Sequence, residues 1–577
     1  MSTTLRSIAF RFALTGRTLV PAALLAAAAL SQASCADEND PKTWVKRLDD
    51  PAQRSNAIKR LGDFFEDTMS KPTVNKNRNA PEVKALLDDI VTPMANVYTA
   101  GNLDEKTRAE LAKSLADMRD PRAAPAMAKA FNDFEPGKNE EDIKYAAQWT
   151  TGLAQEGKLT DKAVIDALWN CFAKFQPSKS KTKSINLVTD LHDAVLAVKD
   201  PSYGPKAVEK LSAAVTNPDD PDQNLDQLQF WQKTACQVIK ELKFAPAAKA
   251  LAKVVLTPAK AALRPTANAA LMVIPKEGEG ALVGALNGTD ADLGKLVNDV
   301  PDGMGPALVA DSISWIGRIP GRDAVLAALD KANNDTNRTL FAQALTRFPP
   351  DARVRAAFFA TYKKLGPNSK VKLPGADELF SRPALVQVAS AFYDPSLTDW
   401  VLGEVAHSKG DEGVGMQAKG LEAALKLMDK GHTKAVGAMV DKLWTAQEKE
   451  LFKGAEAITN QCDKDANCYV AFFDKPVGSA PGDKLGAIKA ARMAATYGND
   501  ATKTALVGKL EKVKDGEARL AIVEAVDYLA GPKGDAAASD ALEKVVAGDV
   551  ASGNKNLIMG DDAVVKVANR LRARSLP

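Results

Sequence analysis

The chain has 577 residues, of which 45% are hydrophobic and only 6% aromatic, and it carries 76 basic against 73 acidic side chains. This near balance argues against a non-specific nucleic-acid binder, which needs a net basic surface. The length allows several domains, or a single array of repeats that grows without one central core.

The N-terminus has the pattern of a secretory signal peptide, which we assign to residues 1–34. Arg6, Arg11 and Arg17 give it a basic start without an acidic residue, and an apolar run follows over residues 19–30. That run is too short to span a bilayer, which needs roughly 20 residues. Removal of this leader takes away three basic residues and no acidic one, so the exported chain carries 73 of each sign and has no net charge.

A cysteine stands at the end of this leader, and its surroundings resemble the lipobox of bacterial lipoproteins. Ala33 and Ser34 are the small residues that this motif places before its cysteine, although Gln32 stands where the motif usually has Leu. The resemblance implies that Cys35 carries a diacylglycerol and an acylated amine, so that residues 35–43 form a tether on a membrane anchor. The same residues also fit an ordinary signal-peptidase site, which would release a soluble periplasmic or secreted protein.

From residue 44 onward the sequence predicts α-helices almost throughout, in units of a helix, an Asp-Pro turn and a second helix. In the first unit the turn Asp49-Asp50-Pro51 precedes a segment in which Ala57, Ile58, Leu61 and Phe65 share one helical face. Proline suits the first turn of a helix, and an Asp before it caps the exposed amides. The turn recurs along the chain, at Asp120-Pro121, Asp200-Pro201, Asp220-Pro221 and Asp394-Pro395.

These turns resemble those of HEAT repeats, which place Asp and Pro between two helices and a basic residue early in the second helix. Arg54 and Arg122 match that basic position, and Lys206 is a further candidate. The resemblance implies an all-α fold, an α-solenoid of stacked antiparallel helix pairs of the HEAT/armadillo type, with roughly 40 residues in each pair. Stacked pairs build a long concave surface, and such surfaces usually bind partners.

The clarity of the repeat varies along the exported chain. Residues 44–275 and 307–577 are predicted as HEAT-like repeats. Between them, residues 276–306 contain seven glycines, and we predict there an irregular, loop-rich repeat or a hinge between two arms. Two further segments, Lys71–Pro81 and Cys462–Gly482, are predicted as long loops that either serve function or simply connect helices.

Four cysteines remain besides the one at the leader. Cys462 and Cys468 lie in a polar stretch between helical segments, and two cysteines this close in an oxidising compartment are expected to form a disulfide. Metal binding by the two thiolates is the alternative, but no second pair or nearby His completes a zinc set. Cys171 and Cys236 lie in amphipathic helical patterns and are predicted to be small buried apolar residues.

The same stretch contains a candidate metal site. Asp463, Asp465 and Asn467 stand at the spacing of the first three ligands of a calcium loop. The pattern is weak, because Cys468 occupies the position where the sharp turn needs Gly and Asp474 stands where the loop ends on Glu. Acidic residues in a solvated turn explain the same pattern, so we predict no cofactor.

No catalytic constellation is found in the sequence. Its three histidines, His192, His407 and His432, fall in separate helical units, and no known nucleophile, phosphate-loop or zinc-protease motif occurs. The sequence therefore predicts a non-enzymatic interaction scaffold of a bacterial cell envelope. We expect a lipid anchor in the outer membrane, facing the periplasm or the surface, an envelope protein or peptide as partner, and no nucleic acid. A binding module for an envelope polymer, peptidoglycan or polysaccharide, is the alternative.

Overall fold

The chain forms two compact units. The computed structural model describes residues 37–180, 185–372, 378–552 and 555–577, so the signal peptide and Cys35 lie outside the described residues. The first unit ends at Cys171 and the second comprises Phe172–Pro577, with the boundary inside the helix Lys162–Lys174. Within the described ranges, none of the helices combines the length and the apolar composition needed to cross a membrane.

The first unit consists of α-helices joined by short connections, so that successive helices run antiparallel. The helices are α1 (Pro41–Arg47), α2 (Arg54–Ser70), α3 (Pro81–Ala100), α4 (Glu105–Met118), α5 (Ala124–Asn132), α6 (Glu140–Gln155) and α7 (Lys162–Lys174), with a 3-10 turn at Pro121–Ala123. Helix α3 packs on α1 and α5, and α4 packs on α2 and α6. From α1 to α6, helices thus pack on the next but one in the chain, and most also pack on the next, which is the two-layered stacking of an α-solenoid.

The second unit continues the same arrangement over a longer array. Its α-helices are α8 (Ile185–Val198), α9 (Tyr203–Ser212), α10 (Pro221–Gln223), α11 (Lys233–Leu242), α12 (Ala248–Leu256), α13 (Arg264–Met272), α14 (Pro275–Asn287), α15 (Ala291–Asp299), α16 (Gly305–Ile316), α17 (Ile319–Asp330), α18 (Asp335–Leu345), α19 (Ala352–Lys364), α20 (Ser381–Val388), α21 (Thr398–His407), α22 (Gly410–Leu427), α23 (Thr433–Leu443), α24 (Ala446–Cys462), α25 (Ala466–Ala471), α26 (Pro481–Tyr497), α27 (Asp500–Lys509), α28 (Gly516–Ala530), α29 (Ala536–Ser552) and α30 (Lys555–Ser575).

Shorter elements connect these helices. A π-helix spans Asn224–Gln232, and 3-10 turns lie at Pro177–Lys179, Ala245–Ala247, Pro258–Leu263, Pro301–Gly303, Ala389–Phe392, Pro395–Leu397, Phe472–Asp474 and Gly531–Lys533. Two short strands, β1 (Lys370–Lys372) and β2 (Glu378–Phe380), pair antiparallel with Val371 opposite Leu379. The helical content confirms the predicted all-α class.

From α12 onward, the even-numbered helices of the second unit form one continuous layer. From α14 to α30, each of them packs on the next even-numbered helix. Helix α30 packs in addition against α13 and α16, so the last helix returns to an early part of the unit. The layer from α16 to α30 therefore closes on itself, which the sequence did not predict.

The Asp-Pro turns cap helices as predicted. The carboxylate of Asp120 accepts a hydrogen bond from the N–H of Arg122 at 2.9 Å. Asp200, Asp220 and Asp394 accept backbone hydrogen bonds in the same way. These carboxylates satisfy amides that have no partner within the helix and so define where the next helix begins. The predicted apolar face of α2 is also buried, with Ala57, Ile58, Leu61 and Phe65 in the core.

The glycine-rich segment 276–306 is mostly helical, so the prediction of a loop-rich repeat was wrong, whereas the hinge stays a prediction. It supplies most of α14, all of α15 and the start of α16, and one compact unit runs through it. Glycine is needed there because backbones approach closely. A Cβ at Gly305 would lie 1.9 Å from the backbone oxygen of Val297, and one at Gly278 would lie 2.9 Å from that of Leu271.

The two predicted loops differ in structure. Lys71–Ala80 is a connector between α2 and α3, with Val74 buried. Cys462–Gly482 is not one long loop, because it contains α25 and a 3-10 turn. Tyr469 and Phe473 from this segment belong to the apolar core of the C-terminal helices. Their burial explains why the segment folds into helical turns.

Candidate functional site

The predicted disulfide between Cys462 and Cys468 is present, with the two Cα atoms 5.3 Å apart. It joins the end of α24 to α25, and Cys462 packs into the apolar core shared with α26 and α28. Both sulfur atoms belong to the disulfide bond, so neither cysteine is a free thiolate that could bind a metal. Cys171 and Cys236 are buried in α7 and α11, as predicted.

Removing this disulfide, by Cys462→Ser with Cys468→Ser, should lower the free energy of unfolding by about 2.4 kcal/mol, the loop-closure entropy of so short a loop. Urea denaturation with and without reductant checks this value. Reductant should destabilise the wild type by the same amount and leave the double variant unchanged. An equal effect of reductant on both proteins would contradict the prediction.

Residues of the candidate metal site make hydrogen bonds and an ion pair at the ends of neighbouring helices. The carboxylate of Asp465 caps α25 by accepting hydrogen bonds from the N–H groups of Asn467 at 2.9 Å and Cys468 at 3.3 Å. Asp463 ends α24 with a φ of 51°, and its carboxylate lies 3.9 Å from Lys430 Nζ. Across the described ranges, His, Cys, Asp and Glu side chains nowhere gather in the groups of three that could hold a metal ion.

The three histidines make local contacts and none of them lines the cavity described below. His192 Nε2 lies 2.8 Å from Gln237 Oε1, and His432 Nδ1 lies 2.6 Å from Asp429 Oδ1. His407 Nδ1 lies 2.6 Å from a backbone oxygen of its own helix.

A cavity of about 420 Å³ lies within the closed layer of the second unit. Its wall is formed by the C-terminal ends of α18, α20 and α22 together with side chains from α26, α28 and α30. We call it the inner cavity. Its charged lining residues are Arg347, Lys426, Arg492, Glu524, Asp527 and Arg570.

A second cavity of about 270 Å³ adjoins the inner cavity and shares Gln343 and Arg347 with it. Arg347 is held firmly at the junction. Its guanidinium forms an ion pair with Asp311 and lies 4.6 Å from the centre of the Trp315 ring. The two cavities therefore provide an elongated space with a fixed cation between them.

Arg492 is a buried cation on the wall of the inner cavity, with 6% of its surface exposed. It donates a hydrogen bond to the backbone oxygen of Ser390, and its guanidinium lies 4.3 Å over the ring of Tyr393. That ring stacks on Tyr528 with 4.1 Å between centroids. The carboxylate of Glu524 is 3.6 Å away but stands half exposed to solvent. Backbone and aromatic contacts thus fix this arginine with little compensation of its charge.

Asp527 of α28 pairs with two arginines of α30. Its carboxylate oxygens lie 3.0 Å from Arg570 and 2.5 Å from Arg574. Arg570 also donates to the backbone oxygen of Arg347, after α18. Burial opposes ionisation of Asp527, but the two arginines outweigh it and hold the pKa of this carboxyl below its ordinary value. The pair of arginines joins the last helix to the wall of the inner cavity.

Lys489 lies one turn before Arg492 on α26 and is 1% exposed. Its Nζ donates to the backbone oxygens of Lys426, at 3.2 Å, and of Met428. These oxygens belong to the C-terminal end of α22, where a cation complements the helix dipole. Burial, assisted by Arg492, holds the pKa of Lys489 well below its ordinary value.

The wall of the inner cavity therefore has an excess of buried positive charge. Besides Lys489, three arginines are buried: Arg492, Arg570 and Arg574. The largely buried carboxylate that lies among these arginines belongs to Asp527, whose side chain is 14% exposed. Charged groups taken out of water are costly unless an opposite charge compensates them. The arrangement is suited to receive an anion.

These residues were not predicted from the sequence. Lys489 and Arg492 do interrupt the apolar run 487–495, and cations within a run that has no polar face indicate buried charge. Asp527 and Arg570 carry no comparable signal, because they occupy ordinary polar positions of amphipathic helices. They meet because α28 and α30 pack on each other, and the return of α30 then brings Arg570 to Arg347.

The hydroxyl of Tyr393 is buried and has no hydrogen-bond partner. Tyr393→Phe should therefore raise the free energy of unfolding by about 1 kcal/mol, because an unpaired buried hydroxyl is costly and the ring contacts remain. Tyr362→Phe is the matched contrast, since the Tyr362 hydroxyl donates to Glu404 at 2.6 Å, and it should lower stability by about 1 kcal/mol. Equal losses in urea denaturation would show that the Tyr393 hydroxyl is hydrogen-bonded.

No protein-family model and no curated protein matches the chain. Among solved structures the chain is similar to one described as "Crystal structure of Kap121p bound to Ste12p", with 10% sequence identity and a TM-score of 0.34. The similarity covers 96% of this chain and 76% of that chain. At this TM-score the likeness supports no conclusion, and the α-solenoid assignment rests on the helix packing described above.

Proposed function

We propose that the protein is a non-enzymatic interaction scaffold of a bacterial cell envelope, anchored by lipid on Cys35, which holds a protein or peptide partner. The inner cavity of the second unit carries this proposal. Its volume of about 420 Å³ falls in the range of roughly 300–1,000 Å³ that is usual for ligand sites. Its cations are held by backbone oxygens and aromatic rings, so they are positioned before a partner arrives.

The chemistry of the wall favours a protein partner over an envelope polymer. A polysaccharide or peptidoglycan groove would present exposed aromatic rings and acidic side chains. In the inner cavity Phe348 and Tyr393 are buried, Tyr528 is only partly exposed and stacks on Tyr393, and the charge excess is basic. Fixed arginines suit hydrogen bonding to acidic groups of a polypeptide.

The lining residues are better suited to binding than to catalysis. Acid-base catalysis needs a titratable group that is free to exchange a proton with substrate. Asp527 is held between Arg570 and Arg574, and Glu524 stands half exposed beside Arg492. We therefore assign the cavity to recognition.

Cross-linking in intact cells, followed by purification of the full-length chain from envelope membranes, tests the proposal. We expect one or a few envelope proteins to be captured reproducibly. Capture of peptidoglycan or polysaccharide fragments without protein partners would favour the polymer alternative and contradict the scaffold.

The proposed anchor is tested separately by mass spectrometry of the mature N-terminus. The wild type should begin at Cys35 and carry the mass of several acyl chains, and Cys35→Ser should lose them and leave the membrane fraction. An unmodified wild-type N-terminus that begins at another residue would refute the lipid anchor and favour a soluble exported protein.

A further inference from the structure

The wall of the inner cavity has more buried positive than negative charge, and this excess indicates which chemical group the cavity binds. Three buried arginines line or back its wall, and Asp527 forms ion pairs with only two of them, Arg570 and Arg574. The third, Arg492, has a backbone oxygen and a half-exposed carboxylate for partners. We infer that the inner cavity binds a carboxylate, supplied by an aspartate or glutamate side chain of a partner peptide. This inference rests on the proposed function and specifies what the scaffold recognises.

Unsatisfied donors at the wall give independent support. The Tyr393 hydroxyl and the Nε of Arg570 are buried and have no hydrogen-bond partner in the described part of the chain. Both residues line the inner cavity. Folded proteins rarely leave such groups unpaired, and a carboxylate supplies only acceptors, in two oxygens with several lone pairs. An acceptor that enters the inner cavity can pair with these donors, and the charge of the neighbouring arginines favours an anionic one.

The surroundings favour a peptide over a small free anion. The inner cavity of about 420 Å³ adjoins the second cavity of about 270 Å³, and Gln343 and Arg347 line both. This space exceeds what one carboxylate fills and leaves room for the residues that flank an acidic side chain. Pro349 and Pro350 contribute apolar wall beside the cations.

Among the cations of the inner cavity, Lys426 is the one whose substitution should disturb the fold least. It lies at the end of α22, is partly exposed, and pairs with Glu422 of its own helix at 2.6 Å. Such a pair within one helix contributes little to stability, so Lys426→Gln should fold. Lys434→Gln in α23 is the matched control, because Lys434 is exposed and does not line the inner cavity.

Fluorescence anisotropy of the full-length chain with short fluorescein-labelled peptides measures the affinity. A peptide of consecutive glutamates between glycines should bind, and the same peptide with glutamines should not. Lys426→Gln should weaken binding of the glutamate peptide about tenfold, the loss of one charge-assisted interaction. Tyr393→Phe, which keeps the fold, should also weaken it, whereas Lys434→Gln should bind like the wild type.

Three results would overturn the inference. Equal binding of the glutamate and glutamine peptides would exclude recognition of a carboxylate. An equal loss in Lys434→Gln, or none in Lys426→Gln, would place binding outside the inner cavity. Competition by free acetate or phosphate at peptide concentrations would indicate a small-anion site.

Separate outcomes contradict the carboxylate site and the proposed scaffold. If envelope proteins are captured equally by the wild type and Lys426→Gln, the scaffold stands and the carboxylate site is wrong. If the glutamate peptide binds the inner cavity but no envelope protein is captured in cells, the carboxylate site stands and the scaffold is wrong.

Discussion

Replacing Asp527 by Asn is expected to lower the free energy of unfolding of the second unit by about 3–5 kcal/mol. The substitution keeps the shape of the side chain but removes the charge that Arg570 and Arg574 share. Both arginines are buried, so each would be left without its compensating carboxylate. The same change loosens the contact between α30 and α28, which helps to close the even-numbered layer. Urea denaturation of the purified chain measures the loss.

Asp540→Asn is the matched control for this prediction. The Asp540 carboxylate also pairs with an arginine of α30, Arg572, at 2.6 Å, but the Asp540 side chain is 64% exposed. Exposed pairs contribute about 0–1 kcal/mol, so this variant should be close to the wild type. A loss in Asp527→Asn no larger than that in Asp540→Asn would contradict the role assigned to the buried pair.

The effect of Asp527→Asn should also depend on pH. The arginines hold the pKa of Asp527 below its ordinary value in the folded chain, whereas the unfolded carboxyl titrates near about 3.9. The stabilisation by Asp527 is therefore complete above the unfolded pKa and is lost as the pH falls from there through the folded value. The difference between wild type and variant should be constant near neutral pH and shrink below about pH 4.

The sequence predicted the parts of the fold that depend on neighbouring residues. The Asp-Pro turns mark helix starts because a carboxylate and a proline act within one turn, as the hydrogen bond from Arg122 to Asp120 shows. The apolar face of α2 follows from helical periodicity alone. The Cys462–Cys468 bridge was predicted because the two residues stand six positions apart in the chain.

The candidate site could not be predicted in the same way. Arg570 meets Arg347 only because α30 returns to α13 and α16, and a return over this distance leaves no local pattern. The glycine-rich segment was misread for a related reason. Gly305 permits close approach to Val297, and glycine in sequence does not distinguish a tight helix contact from a loop.

Replacing Trp149 by Ala should destabilise the first unit by about 3–5 kcal/mol. Its side chain is 0% exposed, and its Nε1 donates a hydrogen bond to the backbone oxygen of Asp120 at 3.1 Å. Trp149 thereby fixes α6 to the Asp-Pro turn that begins at Asp120, so its loss leaves a cavity and removes one of the two hydrogen bonds that the Asp120 oxygen accepts. Hydrogen exchange of peptides from α4 to α6 measures the loss of protection.

Trp149→Phe separates packing from hydrogen bonding in this contact. Phenylalanine keeps most of the buried volume but lacks the N–H. It should cost only about 1 kcal/mol, the net contribution of one hydrogen bond, because the Asp120 oxygen still accepts from the N–H of Ala123 at 3.1 Å. If Trp149→Ala cost no more than Trp149→Phe, the indole would act through its hydrogen bond alone. A larger loss in the alanine variant, as we expect, means that the buried indole stabilises this repeat by filling the space beside the Asp120-Pro121 turn, in addition to its hydrogen bond.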